Sequence, residues 1–182
     1  MWNSMKRKRF ARNRRARRRL FLILLALLAL LLIWPRTVYL EGLVSPYAIL
    51  VDADSGEAVA EKEADANIYP ASMTKVMTAL LALEANPDLE QPVTLPEDIF
   101  PALRAEGASM AGFQPGETAT VRDLLYGALL PSGAECCEAL AREVSGSEAA
   151  FVELMNQKAA ELGMRSTHFC NPTGLHDPEH VS

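Results

Sequence analysis

Fifteen consecutive residues, "LFLILLALLALLLIW" from Leu20 to Trp34, carry no polar side chain, and they follow directly on a basic arm. Residues 1–19 hold ten of the chain's eighteen Lys and Arg and no Asp or Glu. A basic segment running into an apolar one reads as a membrane-targeting signal whose basic end stays in the cytoplasm. At 1.5 Å per residue the apolar run makes a helix of roughly 22 Å, short of the ~30 Å hydrocarbon layer. Snorkelling Arg17, Arg18 and Arg19 at one end, with Trp34 and Tyr39 at the other, would extend its reach. The following "PRTVYLEGLVSPY" contains no small-x-small cleavage signal. The expectation is an uncleaved signal anchor at 20–34, with a cleaved signal peptide as the alternative. Residues 35–46 are expected to form a linker, with everything after about residue 40 outside the cytoplasm. The chain beyond residue 19 has eight basic and twenty-three acidic residues, a net charge of −15, and no nucleic-acid partner is expected.

The rest of the chain reads as one α/β domain, 47–182. "YAILVDADSGEAVAEKEA" is a strand, a turn at Asp54-Ser55-Gly56 and a second strand. "SMTKVMTALLALE" is a helix with apolar Val76, Met77, Leu80, Leu81 and Leu83, stopping at Asn86-Pro87. Residues 87–120 are rich in Pro and Gly and are read as turns and loops. "TVRDLLYGALL" and "AECCEALAREV" are helices separated by Pro131-Ser132-Gly133. "SEAAFVELMNQKAAELGM" is a helix with Phe151, Met155 and Leu162 at helical spacing and Gly163 as its C-cap. Phe113, Tyr126 and Phe151 are assigned to the core. Cys136, Cys137 and Cys170 are expected as small buried thiols, although one bridge from Cys170 is conceivable. Two strands are a marginal sheet on their own. The chain is therefore expected to be the front part of a longer protein.

Lys75 is the residue that local rules do not explain. It sits in the first turn of its helix, where the dipole disfavours a cation, three residues after Ser72, where a capping box would place Glu or Gln. Residues three apart on a helix share a face. A serine hydroxyl becomes a nucleophile when a base takes its proton, and a lysine is such a base once burial and a helix N-terminus lower its pKa. S-x-x-K is short enough to arise by chance in a chain of this size, where it would be a capped helix with a solvated lysine. Ser132 likewise opens an S-x-x-E capping box, Ser132 to Glu135, which needs no chemistry. His168, His176 and His180 invite a metal reading, but Pro178 separates the last two and they lack helical ligand spacing.

The long blocks around these residues carry more. "PASMTKVMTALLALE", "GASMAGFQPGETATVRDLLYGALLPSG" and "FVELMNQKAAELGMRSTHFCNPTGLHDPEH" closely resemble the D-alanyl-D-alanine carboxypeptidases of serine peptidase family S11, the low-molecular-mass penicillin-binding proteins, from about Ser45 to Ser182. The resemblance implies an antiparallel sheet flanked by helices, of the β-lactamase/DD-peptidase type. It implies Ser72 as acylated nucleophile, Lys75 as general base and Ser132 as proton shuttle, with no metal or organic cofactor. The implied partners are a peptidoglycan stem peptide ending in D-Ala-D-Ala as substrate and β-lactams as inhibitors. The family's second motif is S-x-N, and here Ala134 replaces the Asn. Its third, K-T/S-G, would bind the substrate carboxylate and complete the oxyanion hole, and is not in this chain. The alternatives are a β-lactamase of the same fold and a non-catalytic, membrane-anchored wall-binding or sensor module.

Overall fold

The structure, a computed structural model, describes Ile23, Leu25, Leu40 and residues 42–182. The basic arm, the anchor apart from Ile23 and Leu25, and the beginning of the linker lie outside the described residues. Among the described residues no helix is long and apolar enough to cross a membrane. The chain divides into two compact units, one running to Ala66 and the other Asn67–Ser182.

In the first unit, β1 (Ala48–Val51) pairs antiparallel with β2 (Ala58–Lys62), Ala48 opposite Lys62, with a bulge between Leu50 and Val51. The turn is built by Asp52, whose Oδ1 accepts from Asp54 N at 3.1 Å and Ser55 N at 2.8 Å. Gly56 closes it at φ +73°, a left-handed conformation that costs a glycine nothing. Lys62 Nζ donates to Leu43 O and Ser45 O at 2.8 and 2.7 Å, which ties the preceding segment to β2.

The second unit is mostly helical. A 3₁₀ turn (Ala71–Met73) leads into α1 (Thr74–Ala85). Then come β3 (Pro92–Thr94), α2 (Ile99–Ala105), β4 (Thr118–Thr120), α3 (Val121–Leu129), α4 (Ala134–Ser145) and α5 (Glu148–Glu161). β3, β4 and α2 arise where only loops were expected. Each strand has three residues, too few to show a period-two pattern, and β3 begins with a proline, which a strand tolerates at its first residue. Val93 and Ala119 are buried partners in the antiparallel register, and Leu95 N extends the ladder to Glu117 O at 2.8 Å. In α2, Pro101 falls in the first turn, where its missing N–H is not needed.

α4 is the centre of the unit and packs against α1, α3 and α5. Its Ala139, Leu140, Ala141, Cys136 and Cys137 are all at most 1% exposed, small side chains that let the neighbouring helices approach. α3 starts at a complete capping box between Thr120 and Asp123, and α5 at Ser147, whose hydroxyl accepts from Ala150 N. Phe151 and Met155 are fully buried against Met77, Leu81 and Phe169. Several expectations change, and Cys170, expected as a buried thiol, is only partly buried. Tyr126, Val76 and Leu83 are 59%, 65% and 47% exposed, because each lies on the outer face of its helix, and Leu162, 57% exposed, is the C-cap just past the end of α5. Phe113 is only partly buried against the core. Ser182 and Ile68 exchange backbone bonds at 2.9 Å in both directions, and His168 pairs with Val181.

Candidate active site

Ser72 lies in the 3₁₀ turn and Lys75 in the first turn of α1, so the two share one face as their spacing requires. Lys75 is 4% exposed, and its Nζ reaches Ser72 Oγ at 3.2 Å and donates to Thr173 O at 2.5 Å. Burial pushes its pKa down, while Cys137 and Glu135 act in the opposite sense. Burial also pushes the Cys137 thiol up to about 12, so at neutral pH it carries no charge with which to hold the Lys75 proton. Desolvation and the helix N-terminus therefore favour the free amine, within hydrogen-bond reach of the Ser72 hydroxyl.

Ser132 arrives from a distant part of the chain and donates to Ser72 Oγ at 2.9 Å. Its φ of +66° is left-handed, and this geometry aims the hydroxyl at Ser72 and away from the helix that follows. The S-x-x-E capping box consequently does not form. Gly133 is the N-cap of α4 without a side-chain bond, and Glu135 instead accepts from Ala111 N and Gly112 N at 2.7 and 2.9 Å. Ala134 is buried and its N donates to Ser109 O at 2.8 Å, which pins the 109–112 segment beside Ser132. The hydroxyl of Ser132 thus bonds to Ser72 and not to Lys75.

Four further residues shape the site: in the sequence Asn171, Thr173 and Gly174 carry only the turn chemistry of "NPTGLHDP", and His180 only a metal reading that its spacing does not support. Asn171 Oδ1 accepts from Thr173 N, Thr173 Oγ1 and Gly174 N at 3.1, 2.9 and 2.8 Å, which fixes the loop that presents Thr173 O to Lys75. Gly174, at φ +79°, sits flat against the backbone of Ala71. His180 is 2% exposed; its Nδ1 accepts from Cys170 N at 3.2 Å, so Nε2 carries the proton and donates to Thr74 Oγ1 at 2.8 Å. Burial lowers its pKa, against Asp177 and together with His168. This histidine braces the residue preceding Lys75. A cavity of about 130 Å³ opens over the site, lined by Ser72, Lys75, Ser109, Ala134, Thr173 and Gly174 among others.

A buried lysine at a helix start, bonded to a serine that a second serine also touches, on an α/β scaffold, has the form of a DD-peptidase. The chain belongs to peptidase family S11: the family model described as D-alanyl-D-alanine carboxypeptidase matches residues 38–182. It is 41% identical over 140 residues to the D-alanyl-D-alanine carboxypeptidase DacF of Bacillus subtilis, covering 74% of this chain and 35% of that protein. DacC of Escherichia coli is 40% identical over 142 residues, with the same shares of the two chains. Among solved structures, the Streptomyces K15 DD-transpeptidase matches with a TM-score of 0.69 at 32% identity, over 75% of this chain and 54% of the other. Penicillin binding protein 6B from Escherichia coli matches with a TM-score of 0.73 at 28% identity, over 81% and 48%. The chain thus spans 35% of the length of the first two relatives.

Proposed function

We propose that this chain carries the nucleophile half of a serine-type D-Ala-D-Ala carboxypeptidase that trims peptidoglycan stem peptides, held at the outer face of a bacterial membrane by residues 20–34. The observation that carries the reading is the Ser72 hydroxyl between Lys75 Nζ at 3.2 Å and Ser132 Oγ at 2.9 Å, with the lysine almost wholly buried. In the acylation step Ser72 Oγ attacks the carbonyl of the penultimate D-Ala while Lys75 takes its proton. The new C–O bond forms, the C–N bond to the terminal D-Ala breaks, and the proton returns from Lys75 through Ser132 to the leaving amine. Water then attacks the ester, Lys75 again accepts a proton, and Ser72 is freed. No metal or organic cofactor enters these steps. A β-lactam would acylate Ser72 by the same attack, its amide standing in for the D-Ala-D-Ala bond.

The test uses the full-length protein, incubated with a labelled penicillin and mapped by peptide mass, alongside D-Ala release from a stem pentapeptide. A long-lived adduct on Ser72, together with D-Ala release that Ser72→Ala abolishes, is the expected result. Rapid hydrolysis of the penicillin would make the protein a β-lactamase, and binding without any adduct would make it a wall-binding module.

A further inference from the structure

Glu135 is a wholly buried carboxylate that the acylation steps do not use. It is 0% exposed and stands in the first turn of α4, next to Ala134, which lines the cavity over Ser72. Its Oε1 takes both backbone donors, Ala111 N and Gly112 N, while its Oε2 is buried with no hydrogen-bond partner among the described residues. A buried oxygen left unpaired is costly, so a carboxylate kept here calls for a role beyond packing. The α4 N-terminus and the two N–H donors stabilise negative charge at this point. No cation neutralises it by contact. Among the described residues Lys75 is the one buried Lys or Arg, and it bonds to Ser72 and Thr173 and not to Glu135.

Each oxygen has its own consequence for the site. Residues 108–114 have no helix or strand of their own, yet Ala108 and Ser109 line the Ser72 cavity. Their place is set by α4: Ala134 N donates to Ser109 O, and Glu135 Oε1 holds residues 111 and 112. Gly133 lets the two backbones close, since a Cβ there would lie 2.6 Å from Ala111 Cβ and 3.0 Å from Ala111 N. The second consequence is electrostatic. Burial lowers the Lys75 pKa, and Cys137 and Glu135 oppose it. The Cys137 thiol, pushed up to about 12, is uncharged at neutral pH, which leaves Glu135 as the opposing charge. Also on α4 are Cys136, whose thiol burial likewise pushes up, and Glu138; the 170–180 loop brings His180, whose pKa burial lowers. On the other helices packed here, Arg104 of α2, Arg122 and Asp123 of α3, and Glu148 and Glu153 of α5 are exposed, and Lys158 of α5 is paired with Glu84.

We propose that Glu135 is a positioning residue of the Ser72 site: one carboxylate oxygen holds the 109–112 wall on α4, and the other leaves a buried negative charge near Lys75. The inference rests on the acyl-enzyme reading above and adds to it what sets the pH range of the base. With the charge in place, Lys75 keeps its proton to a higher pH than burial alone would allow, so the ammonium formed on attack persists long enough to pass its proton on. Without the charge, the free amine persists to lower pH; it takes the Ser72 proton more readily there.

The experiment uses the full-length protein and acylation by a fluorescent penicillin, with the saturating rate and the half-saturating concentration measured across pH. An NMR titration of the resting protein with labelled lysine follows the Lys75 amine without turnover. Glu135→Gln keeps an oxygen for Ala111 N and Gly112 N and removes the charge. It should move the acid limb of the saturating rate, and the Lys75 titration with it, to lower pH by roughly 0.5 pH unit or more, and leave half-saturation within about twofold of wild type. Glu135→Ala also frees the wall, and should in addition raise the half-saturating concentration about tenfold. Glu138→Gln, which removes the next buried carboxyl on α4, should displace neither limb nor titration. A limb and a titration that Glu135→Gln leaves in place, or that Glu138→Gln displaces equally, overturn the assignment, as does wild-type half-saturation in Glu135→Ala. A wild type that is never acylated, yet whose Lys75 titration Glu135→Gln displaces, overturns the acyl-enzyme reading and upholds the charge beside Lys75; with no displacement either, both fall.

Discussion

Gly174→Ala is the sharpest perturbation of how Ser72 is held. A Cβ at this position would lie 1.9 Å from Ala71 O, 2.4 Å from Ala71 C and 3.1 Å from Ser72 N. All three are backbone atoms, so no side chain can rotate away, and the 3₁₀ turn must move by more than 1 Å to restore ordinary contact. Gly174 is also left-handed, at φ +79°. The φ penalty for alanine is about 1 kcal/mol, and forced overpacking adds about 1–3 kcal/mol. Gly163 separates the two effects, because it has φ +76° and nothing within 4 Å of its would-be Cβ. Gly163→Ala should therefore lose only about 1 kcal/mol in urea unfolding, and Gly174→Ala about 2–4 kcal/mol. Displacing a nucleophile by 1 Å costs on the order of 100-fold in rate. Acylation by a fluorescent penicillin, followed in the full-length protein, should slow by about that factor in Gly174→Ala and stay within twofold of wild type in Gly163→Ala. Equal stability of the two variants together with wild-type acylation in Gly174→Ala would show that the loop does not set the position of Ser72.

Ser132→Ala should leave unfolding stability nearly unchanged, since its hydroxyl bonds to Ser72 and not to the α4 N-terminus, while D-Ala release falls by about 100-fold or more; a stability loss of about 1 kcal/mol with unaltered release would restore the capping role. His180 has its pKa lowered by burial, so the folded state holds it neutral while the unfolded chain takes up a proton below about 6.5. Stability contributed by His180 is thus present above that value and drains away as pH falls through it. The urea-midpoint advantage of wild type over His180→Gln should narrow between pH 7 and pH 5, and an advantage independent of pH would mean that the buried ring is not held in its neutral form.

Which parts of this structure the sequence discloses depends on the distance over which each contact is made. Ser72 and Lys75 are legible because three residues on one helical turn already determine their shared face, and an ammonium in a first turn is anomalous by local rules alone. The helices α1, α3, α4 and α5 are legible for the same reason, through periodicity and caps. β3 and β4 are not, because three-residue strands acquire their identity only from each other, 26 residues apart in register at Val93 and Ala119. Ser132 shows how a local rule can point the wrong way. Its S-x-x-E pattern is a sound capping signal, but the site draws the hydroxyl 60 positions back along the chain to Ser72, and a left-handed φ at Ser132 leaves Gly133 to begin the helix. His180 is the extreme case, reaching Thr74 across 106 positions. Thr74, Lys75 and Thr78 all bond to residues 172–180, so one strand of α1's polar contacts is supplied by a loop whose sequence announces only turns. The burial that lowers the Lys75 pKa is therefore a property of that loop's docking, and a substitution in 170–180 that loosens it should raise the lysine's pKa and weaken the proposed base before it unfolds the protein.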